Sequence, residues 1–228
     1  MSDNRKIAVA LLTCDRLKYT QKTVRTFLRR NNAEDFHLFY ADDASTQQEI
    51  HAFVQEHDFE PVLLNKQRLG CTPTSDGMIR EIRRRIGDDG LILYLQNDFQ
   101  FLRPIPLDVV ERVFVELQPH TLRLYGKYKN VFRRRWDRGA RRVSWKAYDF
   151  GPEVIQVATR ARWSWNPSIT PAGVLAELAH GALREKTLMR RSRRRKFITA
   201  RFAENITSHF GRRRTPQGIY KSETGYGT

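Results

Sequence analysis

A chain of 228 residues that is 40% hydrophobic and 11% aromatic can bury a sizeable core, which excludes an intrinsically disordered protein despite 29% charged residues. With 41 Lys and Arg against 25 Asp and Glu the formal charge is +16, so the expected partners are anionic: nucleic acid, an anionic lipid surface or a phosphorylated substrate. Apolar runs such as "IAVALL" and "LILYL" fall well short of the roughly 20 residues that cross a bilayer, and the N-terminal "MSDNRKIAVALLTCDR" lacks a signal-peptide pattern, so a cytoplasmic location is expected.

The first strand is predicted at residues 7–13, "IAVALLT", whose unbroken aliphatic character suits a strand buried on both faces. A helix follows from Tyr19 to Arg30 with Val24, Phe27 and Leu28 at helical spacing and Thr20 as its cap. Residues 36–41 form a second strand, 47–57 a helix and 61–65 a third short strand. The stretch "RLGCTPTSDGMIREIRRRI" passes from a Gly- and Pro-marked loop into an amphipathic helix with Met78, Ile79, Ile82 and Ile86 inward and its arginines outward. "LILYL", residues 91–95, is the fourth strand, and it runs into the polar turn Gln96, Asn97 and Asp98 before Phe99 and Phe101.

Beyond it the pattern is less regular. A helix is expected at 107–117, a strand at "TLRLYGKY", a charged loop or hairpin at "FRRRWDRGARRVSWKAYDF", and one helix from about Ala172 into "LREKTLMRRSRRRK". Cys14 and Cys71 lack a disulfide framework or a metal-ligand spacing and are expected as reduced thiols. Strands alternating with helices from 7 to 95 predict an α/β fold, a mixed and mostly parallel sheet flanked by helices, with ligands beyond the carboxyl ends of the strands. Those ends read "TCDR", "DDAST" and "QNDF".

In their order and spacing, "IAVALLTCDR", "FYADDAST", "NKQRLGCTPTSDGMIREI" and "LYLQNDF" resemble the nucleotide-binding half of family 2-like glycosyltransferases of the GT-A fold. The resemblance covers residues 6–104 well. It implies one GT-A-type domain, with residues 1–104 holding a nucleotide sugar and 105–228 the acceptor, and transfer of a sugar from a nucleotide diphosphate sugar, a UDP-sugar foremost, to an acceptor hydroxyl. It further implies a divalent cation, Mn²⁺ or Mg²⁺, held by Asp98 and by His209 of "ITSHFGRRRT", with Arg212 to Arg214 adding positive charge. Oxygen and imidazole donors suit such cations. Gln96 stands where the family has the first Asp of its Asp-x-Asp.

On the same resemblance Thr13, Arg16, Asp42, Asp43, Arg68, Gly70 and Asp76 would contact the nucleotide sugar. A carboxylate can accept from an imide N–H and from ribose hydroxyls. Ala44 replaces the usual Gly, and Asp15 stands where Asn is common. An inverting transfer needs a general base, for which chain order favours Glu185 over Glu177. Trp163 and Trp165 beside a polar turn are the candidate acceptor platform, because aromatic faces stack on sugars. The acceptor would be a surface glycan or a lipid-linked intermediate. "MRRSRRRKF" at 189–197 suggests peripheral contact with an anionic membrane. Two other readings remain: a basic nucleic-acid-binding module, which explains the arginines but not the polar strand ends, and a homologue that binds a nucleotide sugar without catalysis.

Overall fold

The computed structural model describes residues 6–124, 144–159 and 165–210. Their first half alternates β1 (Ile7–Thr13), α1 (Leu17–Arg30), β2 (Phe36–Asp42), α2 (Glu49–Glu56), β3 (Glu60–Leu64), α3 (Cys71–Ile86) and β4 (Leu91–Gln96). The second half adds β5 (Phe99–Phe101), α4 (Leu107–Glu116), β6 (Thr121–Arg123), β7 (Lys146–Asp149), β8 (Val154–Thr159), β9 (Ser168–Pro171), α5 (Ala172–Ala179), α6 (Glu185–Arg194), β10 (Ile198–Phe202) and β11 (Thr207–His209).

One large sheet runs in the order β3-β2-β1-β4-β9-β6-β10-β8-β7, and β5 with β11 forms a separate two-stranded ribbon. Strands β3, β2, β1 and β4 are mutually parallel, β9 is antiparallel to β4 and β6, β10 is parallel to β6, and β8 is antiparallel to β10 and β7. Only β8 and β9 therefore oppose the common direction, which gives the mixed, mostly parallel sheet that the alternating pattern predicts.

The period-2 alternation of β1 explains why the sheet is covered twice. Val9 and Leu11 face one layer, where Val24 and Phe27 of α1 and Val109, Val110 and Val113 of α4 are buried. Ala8, Ala10 and Leu12 face the other, against Met78, Ile79 and Ile82 of α3, Leu175 and Leu178 of α5 and Leu188 of α6. Small alanines on that face let α3 lie close to the strand. Ile86 is only partly buried.

Two local expectations are corrected. Thr20 does not cap α1: it lies inside the helix and is buried, and the capping position falls to Arg16 in a left-handed conformation, φ 64° and ψ 49°. No side chain of the cap residue closes the helix end; instead Gln47 accepts from the Leu17 N–H at 2.9 Å, so a tertiary contact satisfies it. Nor is there one helix from Ala172 onward. The chain breaks between α5 and α6 at residues 180–184, where Gly181 has φ +60°. Arg191 donates to Leu178 O at 2.9 Å and to His180 O at 2.6 Å, satisfying carbonyls at the end of α5.

His120 leads into β6 and joins it to β10. Its N–H donates to Ile198 O at 2.9 Å, its Nδ1 accepts from Ile198 N at 3.1 Å, and its ring stacks on Phe197 at 4.5 Å. Burial pushes its pKa below the ordinary 6.5, because desolvation disfavours the imidazolium. As pH falls through the unfolded value the unfolded chain takes up the proton first, so this contribution to stability is present above that value and is lost toward the lower folded value. Thermal melts from about pH 7.5 to about pH 5.5 should show wild type losing more than His120→Gln. Equal losses would remove His120 from the pH response.

Candidate functional site

Strand register brings three polar ends to one rim. Thr13 of β1 lies opposite Asp42 of β2, and Leu12 lies opposite both Ala41 of β2 and Gln96 of β4. At the carboxyl end of a parallel sheet the backbone groups are no longer paired across strands, which leaves room for loops and ligand.

Asp42 and Asp43 end β2 and are both buried. The Asp42 carboxylate accepts from Thr13 Oγ1 at 2.7 Å, from Ser45 N at 2.7 Å and from Ser45 Oγ at 2.5 Å, with His51 Nε2 3.7 Å away. This closes a tight turn over Ala44, whose φ of 57° is left-handed although it carries a Cβ. Asp43 reaches the opposite loop: Oδ1 accepts from Asn65 Nδ2 at 3.1 Å, Leu69 N at 2.8 Å and Thr74 Oγ1 at 2.8 Å, and Oδ2 from Gly70 N at 2.9 Å. Gly70 has φ 94° at the start of α3, a conformation that L side chains rarely adopt.

Asp15 is the residue that composition and spacing did not single out. It is buried at φ 48°, next to the left-handed Arg16. Its Oδ1 accepts from Thr46 N at 2.7 Å and Thr46 Oγ1 at 2.9 Å, its Oδ2 from Arg68, and its carbonyl from Asn97 Nδ2 at 3.4 Å. Its own N–H donates to Ser45 Oγ at 2.6 Å. Loops after β1, β2, β3 and β4 thus meet on one residue. Two consecutive left-handed non-glycine residues, held by surrounding contacts, are the kind of strain found where geometry serves a site.

The turn after β4 places Asp98 at the mouth of a cleft of about 260 Å³, lined by Thr13, Cys14, Arg16, Cys71, Gln96 and Asn97 among others. β11 pairs antiparallel with β5, with His209 opposite Phe99, and Phe210 N donates to Asp98 O at 3.1 Å. The ribbon thereby brings His209 Nε2 to 3.0 Å from Asp98 Oδ2, across 111 residues of chain. Arg16 Nη1 lies 3.8 Å from the same oxygen, its guanidinium over the Tyr19 ring. Asp98 Oδ1 is buried without a hydrogen-bond partner.

On the cleft wall Gln96 Nε2 donates to Cys71 Sγ at 3.3 Å. Burial raises the pKa of the Cys71 thiol, with a smaller contribution from the Glu185 charge, and drives the buried Tyr94 hydroxyl far above its ordinary range. Both stay protonated near neutrality. Among the described residues no group of three or more His, Cys, Asp or Glu is placed to hold a metal ion. One carboxylate and one imidazole do face each other beside an unsatisfied carboxylate oxygen. That donor set fits a hard or borderline cation whose remaining positions are filled by phosphate oxygens.

The structure brings Thr13, Arg16, Asp42, Asp43, Arg68, Gly70, Asp98 and His209 to this rim and its loops. It does not bring Asp76 there: its Oδ2 accepts from Gly181 N at 3.2 Å, in the connection between α5 and α6. Nor is Trp165 an open stacking platform. It is 3% exposed, its Nε1 donates to Thr72 Oγ1 at 3.2 Å and its ring packs on Tyr94 at 4.6 Å, because a buried indole needs an acceptor for its N–H. Glu185 is exposed at the first turn of α6 and accepts from Trp165 N at 3.1 Å. Trp163 and Arg212 to Arg214 lie outside the described residues.

No family model matches the chain, and no curated protein matches it by sequence. Solved structures do match in shape. S. aureus TarS 1-349 superposes with a TM-score of 0.56 at 13% identity, over 89% of this chain and 59% of that one. The same protein in complex with UDP gives 0.53 at 16% identity, over 86% and 60%. GalNAc-T7 with UDP, GalNAc and Mn²⁺ gives 0.62 at 10% identity, over 90% and 43%. The chain thus spans about three fifths of TarS 1-349, and all of these are glycosyltransferases. A mixed sheet with this strand direction, covered on both faces and matching those neighbours, is the GT-A-like glycosyltransferase fold, and that is the fold of this chain.

Proposed function

We propose that the chain transfers a sugar from a nucleotide diphosphate sugar, a UDP-sugar foremost, to an acceptor hydroxyl, as a single GT-A-type domain. The observation that carries this reading is the convergence of Asp98, His209 and Arg16 at the mouth of one cleft beyond the parallel strands. Glycosyl transfer expels a nucleoside diphosphate, and a cation-binding carboxylate beside an arginine suits the charge that develops on it. TarS in complex with UDP, and GalNAc-T7 with UDP and Mn²⁺, support the choice of ligands.

Under this reading the nucleoside lies against the rim made by Thr13, Asp42, Asp43, Arg68 and Gly70. The carboxylates of Asp42 and Asp43 are already supplied with donors, so their part is to fix the loops. Asp98 and His209 would hold a divalent cation, Mn²⁺ or Mg²⁺, whose charge would neutralise the diphosphate. Arg16 adds a fixed positive charge on the leaving side. Glu185 takes the acceptor proton as the acceptor oxygen bonds to the anomeric carbon and the carbon–phosphate-oxygen bond breaks, with inversion. Glu185→Gln should slow transfer about a hundredfold with donor affinity unchanged. A matched loss of affinity would instead make it a binding residue. The acceptor is a surface glycan or lipid-linked intermediate.

Calorimetry with UDP in Mn²⁺ and in EDTA tests the reading. Binding that needs the cation and disappears in Asp98→Ala supports it, and absence of nucleotide binding in both conditions overturns it. The basic nucleic-acid-binding module and the catalytically silent homologue separate in the same samples. The first binds DNA and no nucleotide; the second binds UDP but neither hydrolyses nor transfers the donor.

A further inference from the structure

The arginine clusters of this chain are not alike. On α3, Arg83 pairs with Asp88, Arg84 with Glu81 at 2.8 Å, and Arg85 with both Glu60 and Glu81. Hydrogen bonds from Arg84 and Arg85 hold Glu81 down to about 2. That cluster is neutralised where it stands, and surface pairs of this kind add little stability.

Helix α6 is built differently. Leu188 and Ser192 face the core, Arg191 caps α5 and Arg195 pairs with Glu177. At 100° per residue the opposite arc carries Lys186, Arg190, Arg193 and Arg194, all exposed. None of these four has an ion pair among the described residues. The carboxylate of the first turn, Glu185, is turned to the Trp165 N–H. Just before the helix Leu183 is 78% exposed, the most exposed large hydrophobic side chain among the described residues.

We propose that the outer face of α6 docks on an anionic phospholipid bilayer. Four cations on one arc suit phosphate headgroups, and an exposed leucine two residues before the helix gains from entering the acyl boundary, as beside interfacial helices. Nucleic acid would use the cations and leave Leu183 without a partner. The face is also tied to the cleft. Glu185 holds Trp165, Trp165 reaches Thr72, and Thr72 follows Cys71 on the cleft wall. Docking here would set the cleft at a fixed height above the surface, whatever reaction the cleft performs, so the inference stands apart from the sugar-transfer reading.

Cosedimentation with vesicles tests it, using phosphatidylcholine alone and phosphatidylcholine mixed with phosphatidylglycerol. Wild type should partition onto the anionic vesicles only, and less at higher salt. Each cation near an anionic surface contributes about fivefold to partitioning, so Arg190→Gln, Arg193→Gln and Arg194→Gln combined should lower it about a hundredfold. Leu183→Ser should lower it further. Arg83→Gln with Arg84→Gln, on α3, should leave it unchanged. Circular dichroism and a thermal melt matching wild type in the α6 variant keep its folding separate from docking. The proposal is overturned if the α6 variant partitions like wild type, if the α3 variant loses as much, if neutral vesicles bind equally well, or if wild type prefers duplex DNA to anionic vesicles.

Discussion

Replacing Asp98 with alanine should reduce sugar transfer by about a thousandfold to ten-thousandfold, with the fold intact. Under the proposed function Asp98 would hold the cation, and its removal would forfeit several kcal/mol of charge stabilisation on the leaving diphosphate, each ~1.4 kcal/mol being a factor of ten in rate. The same change removes the carboxylate oxygen that His209 Nε2 and Arg16 Nη1 both face. Cation-dependent UDP binding should be lost together with turnover while the protein stays folded, because the buried Oδ1 of Asp98 has no hydrogen-bond partner to lose and Oδ2 faces the side chains of His209 and Arg16. Single-turnover assays with calorimetry on the same protein decide the matter. Turnover within tenfold of wild type would place the chemistry elsewhere.

Asp43→Ala should act on stability instead. Four donors converge on this buried carboxylate: Asn65 Nδ2, Leu69 N, Gly70 N and Thr74 Oγ1. Without it the buried Thr74 hydroxyl loses its acceptor and the loop at Leu69 and Gly70 loses its anchor, a loss of about 2 to 3 kcal/mol. Asp43→Asn keeps one acceptor oxygen and should lose roughly half as much. Urea denaturation at neutral pH measures both. A loss below about 1 kcal/mol for alanine would mean that water replaces the carboxylate and that the loop is held by something else.

The ease of reading differed along the chain for physical reasons. β1 and β4 are buried on both faces, so their apolar runs are continuous and their limits plain. The break between α5 and α6 was hidden because Gly181 interrupts a pattern that otherwise continues. What stabilises the break lies elsewhere in the chain: Asp76 on the Gly181 N–H and Arg191 on the last carbonyls of α5. The pairing of Asp98 with His209 was legible only through the family resemblance, since no local pattern links residues 111 positions apart. Asp15 shows in the sequence only as a departure from the usual Asn, because its role consists of contacts to three other loops. Trp165 looked like a platform because a tryptophan beside a polar turn reads the same whether its ring faces sugar or Tyr94.

The ribbon of β5 and β11 has three residues in each strand and stands apart from the nine-stranded sheet. Phe99 and Phe101 of β5 are anchored in the core beneath α1, whereas β11 ends on the exposed His209, so the end that carries the imidazole is the more easily opened part of the ribbon. His209 is carried on that ribbon and Asp98 is not. On warming, the imidazole should part from Asp98 before the body of the protein unfolds. An activity that needs this pair should therefore be lost at a lower temperature than the fold, and should return on cooling.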